Sequence, residues 1–457
     1  MAVCMFCRNT SVSLRLSVIV LLGFLLRIFD LINASVIEMD GIAYARMGEN
    51  FAKGAFKEAL SSVFSPCYPI VIGFFHLFIP DIELAGRLVS LIFGILLIYV
   101  CFLFFKQLLD ERKALTGAFF VAIHPYFVRY SAQVLSESLA IFLFTVTVYL
   151  FYKGWLKNNV KAIGLSGFFL ALTYLTRPEY VIFYVPFGLI LLKEKRFRHI
   201  APLILPFVVL AFLYMLHMRI ETGMWILTKK ALLNPFVSLP VFFKNVPVVT
   251  VHLLEALFPP FVVLLFLGFK GINASYRNLS ILLIFFHVFS LAFICHSTKR
   301  YSVEFVPLLL PFAVQGLDVV RGYCGRFRSR KILYRAAWIL VIGFSLFQGL
   351  TVLHRDKTLH KEAGLFIRNL DKGTTIASAR PWVAFYAEGA WVQVLTDGPG
   401  RTSAAGVLAQ AREGHARYFI FDETMQKESP MLEADLSRLP VVKEIRHDKH
   451  FLIIYGL

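Results

Sequence analysis

Stretches of apolar residues recur along this chain from Leu16 to Leu353, joined by short loops, and they constrain the fold more than any other feature. A stretch of about 20 apolar residues is what an α-helix needs to cross the hydrocarbon core of a bilayer. The spans read as 16–32, 86–105, 114–128, 138–152, 161–176, 180–192, 200–218, 251–269, 279–295, 303–320 and 333–353. The 457-residue chain is 58% hydrophobic and 17% charged, whereas a soluble protein carries about 25% charged residues. No ten-residue alternating pattern points to a membrane barrel. The expected fold is an all-α polytopic membrane protein of about eleven transmembrane helices, followed by a small α/β domain.

The formal charge of +18 does not indicate nucleic-acid binding. Many of the cations sit in short loops between spans, as the positive-inside rule requires. With the N-terminus inside, the inner loops carry Lys106/Arg112/Lys113, Lys153/Lys157/Lys161, Lys193/Lys195/Arg196/Arg198, Lys270/Arg277 and the run from Arg321 to Arg335. The segment 68–79 is too short to span and is bounded by prolines, so it reads as re-entrant or interfacial. Counting it as a span would put every later basic loop outside. Arg27 and Asp30 interrupt the first apolar run and no A-x-A site follows, which favours an uncleaved first span over a signal peptide. Cys4 and Cys7 form a lone CxxC with no second pair, so a metal site there is not supported. Cys67 and Cys295 would both lie outside. Of the sequons at Asn9, Asn33, Asn273 and Asn278, only Asn33 would face outside.

Residues 354–457 change character. Thr375–Ala379, Trp391–Leu395, Tyr418–Phe421 and Phe451–Tyr455 read as strands, with helices at Lys361–Asn369, Val407–Glu413 and Pro430–Arg438. That alternation predicts a small, mainly parallel sheet on the outer side of the membrane. It contains no GxGxxG and no P-loop.

Several charges fall on the predicted outer side against the bias. The first outer loop, 33–85, holds Glu38-Met39-Asp40-Gly41 and a predicted interfacial helix from Ile42 to Lys53, with Ala43, Met47 and Phe51 as its stripe. Asp40 reads as a helix N-cap and also as a carboxylate able to take a proton from a hydroxyl. Glu38 is the nearby alternative, or a ligand if a divalent ion is used. Ser65-Pro66-Cys67-Tyr68-Pro69 turns the chain near the surface, and Tyr68 is an interfacial anchor or a substrate contact. Glu137 opens the fourth span beside Ser136, a candidate cap, with Arg129 on the same side. Thr176-Arg177-Pro178-Glu179 is either an ion pair ending a helix or part of a site. Lys299-Arg300-Tyr301 places two cations where an anion should compensate them. A phosphate suits Arg as a fork and Lys as a point charge, and a lipid headgroup would also serve. Lys229-Lys230 repeats the pattern more weakly, and His296 is a proton carrier or a polar helix end.

In this order these segments resemble a family. The acid followed by Tyr44, the Pro-Cys-Tyr-Pro segment, Gly86-Arg87-Leu88-Val89-Ser90, His124-Pro125, Ser131 to Glu137, Thr176 to Glu179, and Arg300-Tyr301 before Pro307 and Pro311 are similar to the GT-C glycosyltransferase superfamily. The branch is that of the protein O-mannosyltransferases and aminoarabinose lipid A transferases, and the resemblance covers about residues 12–320. It implies a membrane glycosyltransferase working in the cell envelope, in lipopolysaccharide modification or protein glycosylation. Transfer would be inverting, from a polyprenyl-phosphate sugar to a lipid, glycan or protein acceptor at the outer face. It implies Asp40 as the base, Glu137 as the second acid orienting acceptor or donor, and Arg300 with Lys299 as the cations holding the donor phosphate. Glu38, Tyr44, Tyr68, Arg129, Arg177, Glu179 and Tyr301 complete the candidate binding set. Some members of the superfamily use a divalent cation such as magnesium or manganese; its candidate ligands here are Glu38, Asp40 and Glu137. The family's usual Asp-Glu pair is here Asp40-Gly41.

The domain reading is a transmembrane part over 1–353 and a soluble extracytoplasmic part over 354–457. A bacterial inner membrane is the expected location, with the site facing the periplasm. The competing reading is a transporter or flippase for a lipid-linked saccharide; a membrane scaffold is a third. The outer-end placement of the charges and the lack of an internal repeat favour surface chemistry over transport.

Overall fold

The computed structural model describes residues 2–60, 63–228, 237–294, 298–324, 330–351, 357–394, 404–428, 432, 436, 438–447 and 450–457. The side chains of 2–11, 222, 324, 330, 331, 333, 404 and 405 are not described. Lys229, Lys230, Cys295 and His296 lie outside the described residues.

The chain is mainly helical with a small sheet near its C-terminus, and it divides into two compact units. One comprises 1–31 and 43–351; the other comprises 32–42 and 352–457.

In the first unit, seven helices among the described residues are long and apolar enough to cross a membrane: Val12–Asn33, Ile82–Phe105, Glu137–Leu156, Phe197–Glu221, Leu239–Leu257, Ala274–Phe293 and Lys299–Tyr323. Cys67–His76, Val160–Thr176 and Pro259–Gly271 are shorter apolar helices. Cys67–His76, with 10 residues, is only about 15 Å long at 1.5 Å per residue, half a bilayer core. The expected span 251–269 is not one helix. It is divided between Leu239–Leu257 and Pro259–Gly268. Two prolines follow Phe258, whose φ of 75° interrupts the helix there, and proline cannot continue a preceding helix. The upstream helix therefore occupies part of what read as loop 219–250. The expected span 114–128 is likewise divided into Glu111–Ile123 and Pro125–Tyr130 at His124-Pro125.

Helix starts follow side-chain chemistry. Asp81 and Asp110 accept from the amides of Leu84 and Lys113 at 3.0 Å, each satisfying a donor the helix leaves open. Close helix packing depends on small residues. A Cβ on Gly316 would lie 1.9 Å from the Leu264 carbonyl oxygen, so only glycine permits this backbone approach.

Arg27, toward the C-terminal end of the apolar helix Val12–Asn33, is fully buried. Its guanidinium donates to the carbonyls of Gly23 and Ala122 at 2.9 and 3.0 Å and to Ser131 Oγ at 3.1 Å. Partners drawn from a second segment offset the cost of a charge at this depth.

The second unit holds a five-stranded sheet in the order β2-β1-β3-β5-β4. Its strands are β1 Thr375–Ser378, β2 Ala390–Gln393, β3 Tyr418–Asp422, β4 Val441–His447 and β5 His450–Gly456. β1 pairs in parallel with β2 and β3, whereas β5 pairs antiparallel with β3 and β4. The sheet is therefore mixed rather than mainly parallel. β4 went unread because it is mostly exposed and carries Lys443, Glu444 and Arg446, as an edge strand does. The helices Thr358–Leu370 and Ala404–Glu413 extend the two expected ones. The expected helix Pro430–Arg438 lies largely outside the described residues.

Candidate functional site

The out-of-place charges of the first unit gather around one buried carboxylate. Glu137 begins the Glu137–Leu156 helix and has no exposed surface. Arg177 Nη1 donates to its Oε1 at 2.9 Å, and Arg300 Nε donates to the same oxygen. Arg177 follows the Val160–Thr176 helix, which ends ahead of Pro178. Its Nε donates to Glu179 Oε1 at 2.9 Å and lies 2.9 Å from Glu304 Oε1. Its guanidinium stacks on the Tyr301 ring, 4.7 Å from the centroid. Arg300 and Tyr301 share the 3-10 segment Lys299–Phe305 with Glu304. The expected ion pair at Arg177 and Glu179 is thus present, as part of a larger network.

Only Arg300 among the charged members is appreciably exposed, at 30%, against 4% for Arg177 and 1% for Glu304. Three carboxylates face two guanidiniums, and Arg177 bridges all three. Such a group is stable inside a bundle only while its members stay paired. Glu137 Oε2 and both Glu304 oxygens have no hydrogen-bond partner among the described residues. Unsatisfied buried acceptors are costly and call for a reason. Glu304 was missed from sequence. Its signal was an acid at the mouth of an apolar run, five residues after Lys299.

The neighbouring candidates line this cluster or are committed elsewhere. Ser136 does not cap the helix; its hydroxyl meets Tyr44 OH at 3.1 Å. The Tyr44 ring stands edge-on to Tyr68, with centroids 5.2 Å apart. Tyr68 is fully buried, with its hydroxyl 2.8 Å from Ser90 Oγ and donating to the Gly86 carbonyl at 3.2 Å. It is therefore neither an interfacial anchor nor open to a ligand in this conformation. Arg129 donates to the Gln348 carbonyl at 3.0 Å, at the end of the Arg330–Gly349 helix, where a cation is favoured. Lys299 lies over the Tyr126 ring at 5.6 Å.

Glu38 and Asp40 belong to the second unit. The helix runs Met39–Ala52, so Asp40 lies in its first turn rather than ahead of it as a cap. An acid there is favoured by the helix dipole. The Glu38 carbonyl accepts from the Ile42 amide at 3.0 Å. In the rest of that helix the buried residues include Ile42, Tyr44, Ala45 and Met47; of the expected stripe Met47 is buried, while Ala43 and Phe51 are half-buried.

Among the described residues no group of three or more His, Cys, Asp or Glu is arranged to hold a metal ion. Of the candidate ligands Glu38, Asp40 and Glu137, the last already shares one carboxylate oxygen between two guanidiniums.

Residues 64–225 match the family model for dolichyl-phosphate-mannose-protein mannosyltransferase. No curated protein matches the chain by sequence. ArnT from Cupriavidus metallidurans in its apo state is similar in structure, with a TM-score of 0.66 at 12% identity over 98% of both chains. The same protein bound to undecaprenyl phosphate gives 0.65 at 11% identity, again over 98% of both chains. The Archaeoglobus fulgidus oligosaccharyltransferase with zinc and sulfate gives 0.62 at 13% identity, covering 90% of this chain and 68% of that one. The chain thus has the GT-C glycosyltransferase fold, and its residues 64–225 match a mannosyltransferase family of that class.

Proposed function

We propose that this protein transfers a sugar from a polyprenyl-phosphate carrier to a hydroxyl of a lipid, glycan or protein acceptor, with inversion, at the outer face of a bacterial inner membrane. The observation that carries the reading is the buried Glu137–Arg177 pair with the more exposed Arg300 attached to it. In a GT-C fold this supplies a cation held in place before a phosphate arrives. Two of the solved relatives support the donor class: ArnT was crystallised with undecaprenyl phosphate, and the archaeal oligosaccharyltransferase AglB was determined with dolichol-phosphate.

The chemistry assigns roles in turn. The acceptor oxygen attacks the anomeric carbon from the face opposite the carrier. The bond from that carbon to the phosphate oxygen breaks, and its electron pair leaves with the polyprenyl phosphate. Arg300, assisted by Lys299, stabilises the charge that develops there. Glu137 and Arg177 hold Arg300 in orientation, so little reorganisation accompanies the step. The acceptor hydroxyl is far too weak an acid to ionise near neutral pH, and Asp40 takes its proton as the new bond forms. No step requires a metal.

The test is turnover of radiolabelled polyprenyl-phosphate sugars by purified protein, wild type against Asp40→Asn. Loss of the base should lower turnover by about 10²–10⁴, with donor binding retained. Wild type that binds donor without releasing polyprenyl phosphate would support a transporter. Unchanged turnover in the variant would remove Asp40 from its role.

A further inference from the structure

The second unit contains more than the C-terminal domain: it includes the chain segment that carries Asp40. The contacts are specific. Tyr386 OH accepts from the Ile37 amide at 2.9 Å, and Trp382 Nε1 donates to the Ile37 carbonyl at 2.9 Å. Both polar atoms of one backbone residue are thus held by two side chains one helical turn apart, on the short helix Trp382–Tyr386. Val36 and Ile37 are buried, as are Trp382 and Tyr386. Two positions before Trp382, Arg380 Nη1 lies 3.7 Å from Met39 Sδ.

The two rings are themselves fixed. Lys357 and Lys361 each lie 4.9 Å over them, on Trp382 and Tyr386 respectively. The His360 ring sits 5.2 Å from Trp382 and bonds Asp422 on β3 at 2.9 Å. A Cβ on Gly364 would come within 2.5 Å of Tyr386 Cβ, so the Thr358–Leu370 helix lies against the backbone of the short helix. The clamp is therefore braced by the sheet domain.

The linkage to Asp40 has little slack. The hydrogen bond from the Ile42 amide to the Glu38 carbonyl sets the first turn of the Met39–Ala52 helix. Glu38 and Met39 alone separate the clamped residue from the acid. A displacement at Ile37 of an ångström carries almost undiminished to Asp40, and an ångström of misplacement at a reacting group can lower a rate by about 10²-fold.

We infer that Trp382 and Tyr386 of the C-terminal domain are positioning residues: they clamp the Ile37 backbone and so locate the Asp40 carboxylate for proton abstraction. The inference rests on the reading of Asp40 as the base. It gives the domain a task in the transfer reaction, one that needs no ligand site of its own. Neither ring touches the reacting atoms.

The test uses the full-length protein with Tyr386→Phe and Trp382→Phe, which keep an aromatic ring and remove the polar atom. Three readouts are taken together: amide exchange at Ile37, kcat and donor KM, and the thermal midpoint of the protein. The expected result is faster exchange at Ile37 and a kcat lowered about tenfold, with donor KM and midpoint close to wild type. Leucine at either position, which also loses the ring, should lower kcat further. Faster exchange with unchanged kcat overturns the inference, as does a kcat loss that merely follows a fallen midpoint. Unchanged exchange overturns it too, because the clamp would then not hold the segment. Asp40→Asn, assayed alongside, separates the two claims. If it keeps full turnover, the base assignment fails whatever the clamp variants do.

Discussion

Two sets of ion pairs in the membrane unit join cations to carboxylates at similar distances, yet they differ in kind. Around Glu137, the partners Arg177 and Glu304 are almost wholly removed from solvent, Glu179 is mostly so, and Arg300 reaches outward. At Lys106, Lys113 and their partners, the pairs are half-exposed. Lys106 meets Glu111 at 2.7 Å and Lys113 meets Asp318 at 2.6 Å, beside a cavity of about 540 Å³ lined in part by Lys113, Asp318 and Arg321. Distance does not distinguish the sets; burial does. In water an ion pair gains little, because solvent already stabilises both charges. Inside a bundle each charge has given up that solvent, and the loss of one partner strands the other. Burying Glu137, Arg177 and Glu304 together costs a fold a great deal of solvation. The function proposed above gives that cost a reason.

The comparison breaks most directly at Arg177. Arg177→Met removes the group that bridges Glu137, Glu179 and Glu304 and leaves Glu304 buried without the cation that faces it. The expected loss is about 3–5 kcal/mol of stability, the range for breaking a buried pair. Denaturant unfolding in detergent would measure it. A loss below about 1 kcal/mol would mean that water reaches the cluster and that the two sets of pairs are equivalent.

The residues of this cluster were legible to different degrees, for physical reasons. Glu137, Arg177, Glu179 and Arg300 stood out in the sequence because they fall in short loops on the side poor in cations. Their convergence could not be read, since it depends on bringing together segments 40 and 163 residues apart. Glu304 was hidden because it reads as the polar end of an apolar span, when it lies in a buried 3-10 turn. Ser136 looked like a cap, and the structure gives its hydroxyl to Tyr44 instead. In the second unit, β1, β3 and β5 announced themselves as short apolar runs. β4 did not, because an edge strand displays its charges. The attachment of segment 32–42 to that unit left no sequence signal, since it is made by two aromatic side chains more than 340 residues away.

The second unit offers an intermediate case, the partly buried pair of His360 and Asp422. Burial pushes the Asp422 carboxyl up, but the hydrogen bond from His360 and the amides of Met425 and Thr424 outweigh it and hold it below the ordinary value. A carboxyl with a lowered folded value stabilises the fold above the unfolded value, about 3.9, and loses that contribution as pH falls through the folded value. Hydrogen bonds to charged groups contribute roughly 1.5–3 kcal/mol. The unit should therefore keep its stability down to about pH 4 and lose part of it below, seen as a change in the emission of Trp382, whose ring adjoins His360. Asp422→Asn should lower stability near neutral pH and flatten the acid response. An acid response as steep in the variant as in wild type would assign the sensitivity to other carboxylates.

The smallest effect is expected at Lys106 and Glu111, 42% and 35% exposed. Their 2.7 Å contact is shorter than the 2.9 Å contact between Arg177 and Glu137, so a view based on distance alone would rank it as the stronger. Solvent screening reverses that ranking. Removing the charge with Lys106→Met frees Glu111 to be hydrated, and the expected loss is about 0.5 kcal/mol or less, within the range of exposed pairs. Raising the salt from 0.05 to 0.5 M should shrink even that difference, because a surface pair is screened, while the Arg177→Met loss should hardly change. Unfolding both variants at the two salt concentrations provides the comparison. A loss at Lys106 that approaches the loss at Arg177, or a loss at Arg177 that fades with salt as a surface pair's would, would show that burial is not what separates the two sets.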